Sequence, residues 1–146
     1  MIIHRPEQDM FTDDVQAIVC PVNLNGVMGA GLAKYFAMRD PMCHMNYLMD
    51  IRAGRLKQGT ITVHSFNQTQ KVIFLPTKIN WWEDSPKNLI TESLMALAAI
   101  YQSFGLTSIG LPMIGCGCGN LPWTEVREII YSTLALLPIN VVVYGK

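Results

Sequence analysis

Charge is scarce in this 146-residue chain: Asp, Glu, Lys and Arg make up 15% of it, and 11 acidic residues balance 11 basic ones. A protein that grips a nucleic-acid backbone along its length carries a basic excess, and this chain has none. Its basic residues gather only locally, at Arg52, Arg55 and Lys57. Long apolar runs are missing too. "SLMALAAIYQSF" is interrupted by Ser93, Gln102 and Ser103 and falls short of a membrane span. The opening "MIIHRPEQDM" lacks the apolar core of a signal peptide. A soluble, cytoplasmic protein with no membrane partner is expected. Cysteines are few: Cys20, Cys43, Cys116 and Cys118. The last two lie too close together for a disulfide framework, so reduced thiols are expected. No second Cys/His pair completes the C-x-C of Cys116 and Cys118 into a zinc site. No G-x-x-x-x-G-K-[ST] occurs, which excludes a P-loop ATPase. Neither metal nor cofactor is expected.

Half of the residues are apolar, enough for a real core in one domain spanning residues 1–146. "MIIHRP" reads as a short strand ended by Pro6, and "VQAIVCPV" as a buried strand over about Gln16–Val19. "LAKYFAMRD" has a helical apolar pattern that stops before Pro41. "MCHMNYLMDIRAG" is a second helix with Gly54 at its C-cap. "TITVHSF" and "KVIFLPT" are strands joined by the turn signal "NQTQ", a hairpin. A long helix follows in "SPKNLITESLMALAAIYQSFG", with Ser85 as N-cap, Pro86 at its first position and Gly105 at its end. The acidic pair Glu83 and Asp84 just before it is expected to cap it. "SIGLP" is a strand, "WTEVREIIYSTLALL" a helix stopped by Pro138, and "INVVVYG" a last strand. Strands alternating with helices predict an α/β layered fold around a mostly parallel sheet.

Two glycine-rich loops stand where strands lead into helices: "NLNGVMGAGLAK", residues 23–34, and "IGCGCGNL", residues 114–121. Ligands of open α/β sheets sit at such strand ends. Glycine lets the backbone approach a ligand closely, and free N–H groups leading into a helix attract anions. Two such loops facing each other would form a trough for a diphosphate; the plainer alternative is a pair of tight turns. "GAGLAK" approaches the dinucleotide fingerprint but ends in Lys34 and begins too far from its strand, against a nucleotide-dependent oxidoreductase. The cysteines suit the loop as small apolar residues rather than as nucleophiles, since the sequence singles out no partnering base.

"DMFTDDVQAIVCPVNLNGVMGAGLA" followed by "GLPMIGCGCGNLPW" resembles the macrodomain family of ADP-ribose-binding proteins over nearly the whole chain. The resemblance implies a three-layer α/β/α fold with a mixed, mostly parallel central sheet. "VNLNGVMGAGLA" and "FLPTKINWW" are most similar to the branch that holds a DNA ADP-ribosyl glycohydrolase and a terminal ADP-ribose protein glycohydrolase. The implied activity is hydrolytic removal of ADP-ribose from a modified macromolecule, DNA ahead of protein. A non-catalytic ADP-ribose reader and an ADP-ribose 1″-phosphate phosphatase are the alternatives. The implied partners are ADP-ribose, ADP-ribosylated DNA or protein, and an ADP-ribosyltransferase toxin.

Roles carry over by position. Asp9, with Met10 and Phe11, matches the contact to adenine. Asn23 matches a polar position beside the distal ribose, where it would position water. Val27, Met28, Gly29, Ala30, Gly31 and Leu32 match the first diphosphate loop. Pro112, Ile114, Gly115, Cys116, Gly117, Cys118, Gly119, Asn120 and Leu121 match the second. Lys78, after Thr77 in "PTK", matches the catalytic lysine of this branch. It would attack C1″ of the distal ribose or stabilise charge on the departing group. The protein-directed enzyme carries an aspartate in the second loop where this chain has Gly119, and the DNA-directed branch is closer to the glycine-only loop. A histidine common there two residues after the lysine is Asn80 here. Trp81 and Trp82 are expected to split, one buried and one exposed; an exposed one could stack on a base.

Overall fold

The computed structural model describes residues 1–145. The Val- and Ile-rich runs become strands Ile2–Arg5 (β1), Ala17–Asn23 (β2), Thr62–Ser65 (β3), Lys71–Lys78 (β4), Ser108–Leu111 (β5) and Asn140–Tyr144 (β6). The helices are Gly31–Arg39 (α1), Pro41–Arg52 (α2), Lys87–Ile100 (α3) and Trp123–Leu134 (α4). The strands form one sheet in the order β1-β6-β5-β2-β4-β3. All neighbours are parallel except β3 and β4, the expected hairpin.

Alternation along the strands divides their side chains between two cores. Ala17 and Val19 of β2, Ile73 and Leu75 of β4, and Val141 and Val143 of β6 face α3 and α4. Ile18, Cys20 and Val22, Val72 and Phe74, and Val142 and Tyr144 face the layer of α1 and α2. The result is the three-layer α/β/α arrangement. Gly110 of β5 gives Tyr144 its place: a Cβ there would lie 2.8 Å from the Tyr144 ring. The Tyr144 hydroxyl then donates to Asp13 at 2.8 Å, and Arg5 donates to the same carboxylate at 2.7 Å. Burial pushes the Asp13 carboxyl up, but hydrogen bonds from Tyr144 and Arg5 outweigh it and hold it below its usual value. Gln70 donates to the Met10 and Asp13 carbonyls at 2.9 and 3.2 Å. The segment carrying Asp9, Met10 and Phe11 is thereby held against the sheet.

Some boundaries differ from expectation, each for a local reason. β2 runs on through Pro21 to Asn23, beyond the expected Val19. Its pairing with β5 covers only Ala17 and Ile18, while the pairing with β4 continues. Proline is tolerated where one ladder has already ended. Asp40 both ends α1 and caps α2, accepting from the Met42 N–H at 3.1 Å. The C-cap of α2 is Ala53, and Gly54 follows with φ +73°. The N-cap of α3 is Pro86, not Ser85, whose buried hydroxyl has no hydrogen-bond partner. Glu83 and Asp84 do not cap that helix either: Glu83 accepts from Asn80 and Asp84 accepts from Asn120. α3 tightens into a 3-10 turn over Tyr101–Phe104 before Gly105, φ +64°. α4 stops at Leu134 rather than Leu137, because Pro138 disfavours helical backbone at the residue before it.

Candidate functional site

Where β2 and β5 cease to pair, a cleft of about 710 Å³ opens at the carboxyl ends of β2, β4 and β5. Pro21 and Val22 line one side of the gap, Pro112 and Met113 the other. Both glycine-rich loops contribute walls. Val27, Gly29, Ala30, Gly31 and Leu32 come from the first, and Ile114, Gly115, Gly117, Cys118, Gly119 and Asn120 from the second. A Cβ on Gly31 would lie 3.7 Å from the Cys118 sulfur, so the loops meet across the cleft.

Asn23 braces the first loop. Its Nδ2 donates to the Val27 carbonyl at 2.7 Å, and its Oδ1 accepts from the Val27 N–H at 3.2 Å. Tyr47, fully buried, sits beneath: its hydroxyl lies 2.6 Å from Asn23 Oδ1 and accepts from the Gly26 N–H at 3.1 Å. Burial pushes the Tyr47 phenol up to about 12, so it stays a donor. The visible work of the Asn23 side chain is thus to hold the loop, although it also lines the cleft.

The second loop is compressed. Gly115 has φ +74°, and a Cβ there would lie 2.5 Å from Ile90. A Cβ on Gly119 would collide with the Ser85 hydroxyl and lie 2.5 Å from the Gly115 carbonyl oxygen. Asn120 has φ +60°, left-handed backbone that Asn tolerates better than most residues. The loop's own bonds run from Asn120 N to Gly117 O at 3.1 Å and from Leu121 N to Gly115 O at 2.8 Å.

Lys78 ends β4 in register with Asn23 after a shift in the ladder. Its ammonium donates to the Trp81 carbonyl at 3.1 Å, and both Lys78 and Thr77 line the cleft. Trp81 and Trp82 are both exposed, at 54% and 63%, rather than split; their rings meet edge to face with centroids 5.7 Å apart. Both line the cleft with Asp84 and Ser85. The sequence reading assigned Asp84 to the start of α3 rather than to the cleft. The bond from Asn120 Nδ2 to its Oδ1, 2.7 Å long, bridges segments 36 residues apart and leaves no trace in local sequence.

The remaining expected residues lie around this cleft. Asp9, Met10 and Phe11 line a shallower cavity of about 310 Å³ that shares Leu32, Pro112 and Met113 with the cleft. Asp9 Oδ1 accepts from the Phe11 N–H at 3.0 Å. Three expected residues do not line either cavity: Met28 is buried in the core beneath the first loop, Leu121 packs on the opposite core, and Cys116 turns its sulfur toward the Ile114 carbonyl, 3.4 Å away. Burial pushes the Cys116 thiol up, which makes it a poorer nucleophile. The basic trio lies away from the cleft: Arg55 is paired with the buried Asp50 at 2.8 Å, and Arg52 and Lys57 are exposed outside it. Among the described residues no group of three His, Cys, Asp or Glu side chains is placed to hold a metal, and no helix is long and apolar enough to cross a membrane.

A six-stranded sheet between two helical layers, with a cleft of about 710 Å³ between two glycine loops, is the architecture against which the comparisons with known proteins are set. The Macro domain family model matches residues 19–130, and the chain belongs to that family. A DNA ADP-ribosyl glycohydrolase of Thermus aquaticus is 35% identical over 134 residues, 89% of this chain and 37% of that protein. The structure superposes on the macrodomain of Mycobacterium tuberculosis DarG with a TM-score of 0.92 at 29% identity, covering 100% of this chain and 98% of that one. It also matches Thermosipho africanus DarTG in complex with ADP-ribose, TM-score 0.90 at 28% identity, covering 96% of this chain and 40% of that one. The chain spans 37–40% of the length of its most similar curated relatives.

Proposed function

We propose that this chain acts as one macrodomain over residues 1–146 that binds ADP-ribose and hydrolyses its linkage to a modified macromolecule, DNA ahead of protein. The observation that carries the reading is the meeting of both glycine loops with Lys78 in one cleft. The diphosphate lies between the loops, where backbone N–H groups replace its hydration. The adenosine end extends toward Asp9, Met10 and Phe11 through the shared wall of Leu32 and Pro112. The distal ribose then reaches Asn23 and Lys78. Oriented backbone N–H groups and the Lys78 ammonium favour the charge that develops as the bond at C1″ breaks. Lys78 either supplies that field or attacks C1″ itself; a borohydride-trapped adduct on Lys78 marks the second route.

DNA is placed ahead of protein on two grounds. Relatives such as that of Thermus aquaticus carry the name of a DNA ADP-ribosyl glycohydrolase. The two exposed indoles at the cleft give faces on which an unpaired base stacks without an extended basic surface. The transferase that installs the modification is the partner activity this reaction requires. The test offers the purified protein ADP-ribosylated single-stranded DNA, glutamate-ADP-ribosylated protein and ADP-ribose 1″-phosphate. Release of ADP-ribose from DNA fastest supports the reading. Binding of ADP-ribose without release makes the chain a reader, and phosphate release from the small molecule alone makes it a phosphatase.

A further inference from the structure

Hydrolysis of a glycosidic bond ordinarily calls on a carboxylate to take a proton from the attacking water. The second loop cannot supply one at position 119, since any side chain there would collide with Ser85 and with the Gly115 carbonyl. The segment packed beside that loop does. Among the described residues lining the cleft, Lys78 and Asp84 are the two charged ones. Asp84 is held by Asn120 Nδ2 at 2.7 Å on Oδ1, which leaves Oδ2 free of that bond. The next residue pins the same segment to the loop, Ser85 N–H donating to the Gly119 carbonyl at 3.0 Å. Ser85, 5% exposed, lines the cleft, and its hydroxyl is buried beneath Gly119 without a hydrogen-bond partner.

From this placement we infer that Asp84 is the general base of the reaction, aimed by Asn120. The inference rests on the proposed glycohydrolase activity. Water oxygen forms a bond to C1″, and its proton passes to Asp84. The bond from C1″ to the modified group breaks, its electron pair leaves with that group, and the proton from Asp84 neutralises it. The products are free ADP-ribose and the unmodified macromolecule. The carboxylate that the protein-directed enzyme carries in the second loop is here delivered by the segment following Lys78, and Asn120 is the residue that fixes its direction.

The test measures ADP-ribose release from ADP-ribosylated single-stranded DNA by the wild type and by Asp84→Asn, Asp84→Ala and Asn120→Ala. The amide of Asp84→Asn keeps an acceptor for Asn120 but takes up no proton. Release by Asp84→Asn and Asp84→Ala is expected to fall about 100-fold or more, the lower end of general-base contributions. Calorimetric affinity for ADP-ribose and melting temperature stay near the wild-type values, because Asp84 is exposed. Added formate restores release by Asp84→Ala, a readout that a bracing role does not move. Asn120→Ala falls less than either Asp84 variant. Wild-type release by Asp84→Asn overturns the inference while leaving the proposed function standing. So does a loss of release matched by an equal loss of ADP-ribose affinity and unmoved by formate. A wild type that releases nothing overturns both.

Discussion

Replacing Gly119 with alanine tests the compression of the second loop without reference to any ligand. The added Cβ would lie 2.5 Å from the Gly115 carbonyl oxygen, against an ordinary contact of 3.4 Å or more, so about 0.9 Å of backbone movement is required. It also collides with the Ser85 hydroxyl, which is buried and cannot swing into solvent. Overpacking of this kind costs about 1–3 kcal/mol. Stiffening the unfolded chain returns only about 0.4–1 kcal/mol, so the clash wins. At mid-range the net loss is about 1.3 kcal/mol, which for a chain of this size lowers the melting temperature by roughly 3–5 °C, at about 2–4 °C per kcal/mol. Gly117, two residues earlier, is the control. A Cβ there meets nothing within 4 Å, so Gly117→Ala is expected to melt within about 2 °C of the wild type. Thermal unfolding followed by circular dichroism reads both. A Gly119→Ala variant as stable as Gly117→Ala refutes the compression, and with it the reason the loop carries no aspartate.

Two further predictions concern the frame of the site. Tyr47→Phe removes the hydroxyl beneath the first loop and strands the Gly26 N–H and an Asn23 acceptor, at a cost of about 1–3 kcal/mol; calorimetry is expected to show ADP-ribose affinity reduced roughly tenfold, which corresponds to about 1.4 kcal/mol, and unchanged affinity contradicts the bracing. Burial pushes the Asp50 carboxyl up, but His64 at 2.6 Å and Arg55 at 2.8 Å outweigh it, and its folded value lies below the ordinary one. A depressed carboxylate contributes stability above its unfolded value of about 3.9 and loses it as pH falls through the folded value. Urea midpoints are therefore expected to fall steeply below about pH 4 in the wild type and less steeply in Asp50→Asn; parallel acid limbs contradict this.

The layered architecture was legible because strand alternation and helix periodicity recur in strict order from β1 to β6. The glycine loops were legible because both follow strands of the central sheet. What escaped were consequences of contacts distant in sequence. Ser85 has the composition of an N-cap, yet the Gly119 carbonyl claims its N–H and the loop covers its hydroxyl, so the cap falls to Pro86. Glu83 and Asp84 look like a helix-start pair, yet Asn80 and Asn120 take their carboxylates. The sequence reading ends the second strand at about Val19, short of Pro21. Pro21 lies within β2 because the partner on one side has already left the ladder, and that departure makes the cleft. Met28 and Cys116 sit within the loop motifs but face the protein, a distinction of side-chain direction that spacing in an irregular loop does not encode.

The central claim is that Lys78 works on an ADP-ribosyl bond held between the two glycine loops. The most direct measurement compares the wild type with Lys78→Ala on ADP-ribosylated single-stranded DNA, with calorimetric binding of ADP-ribose measured on the same two proteins. The account predicts release by the wild type, a loss of at least about 100-fold in Lys78→Ala, and ADP-ribose binding retained in both. Equal release by the two proteins, or no binding of ADP-ribose by the wild type, contradicts it.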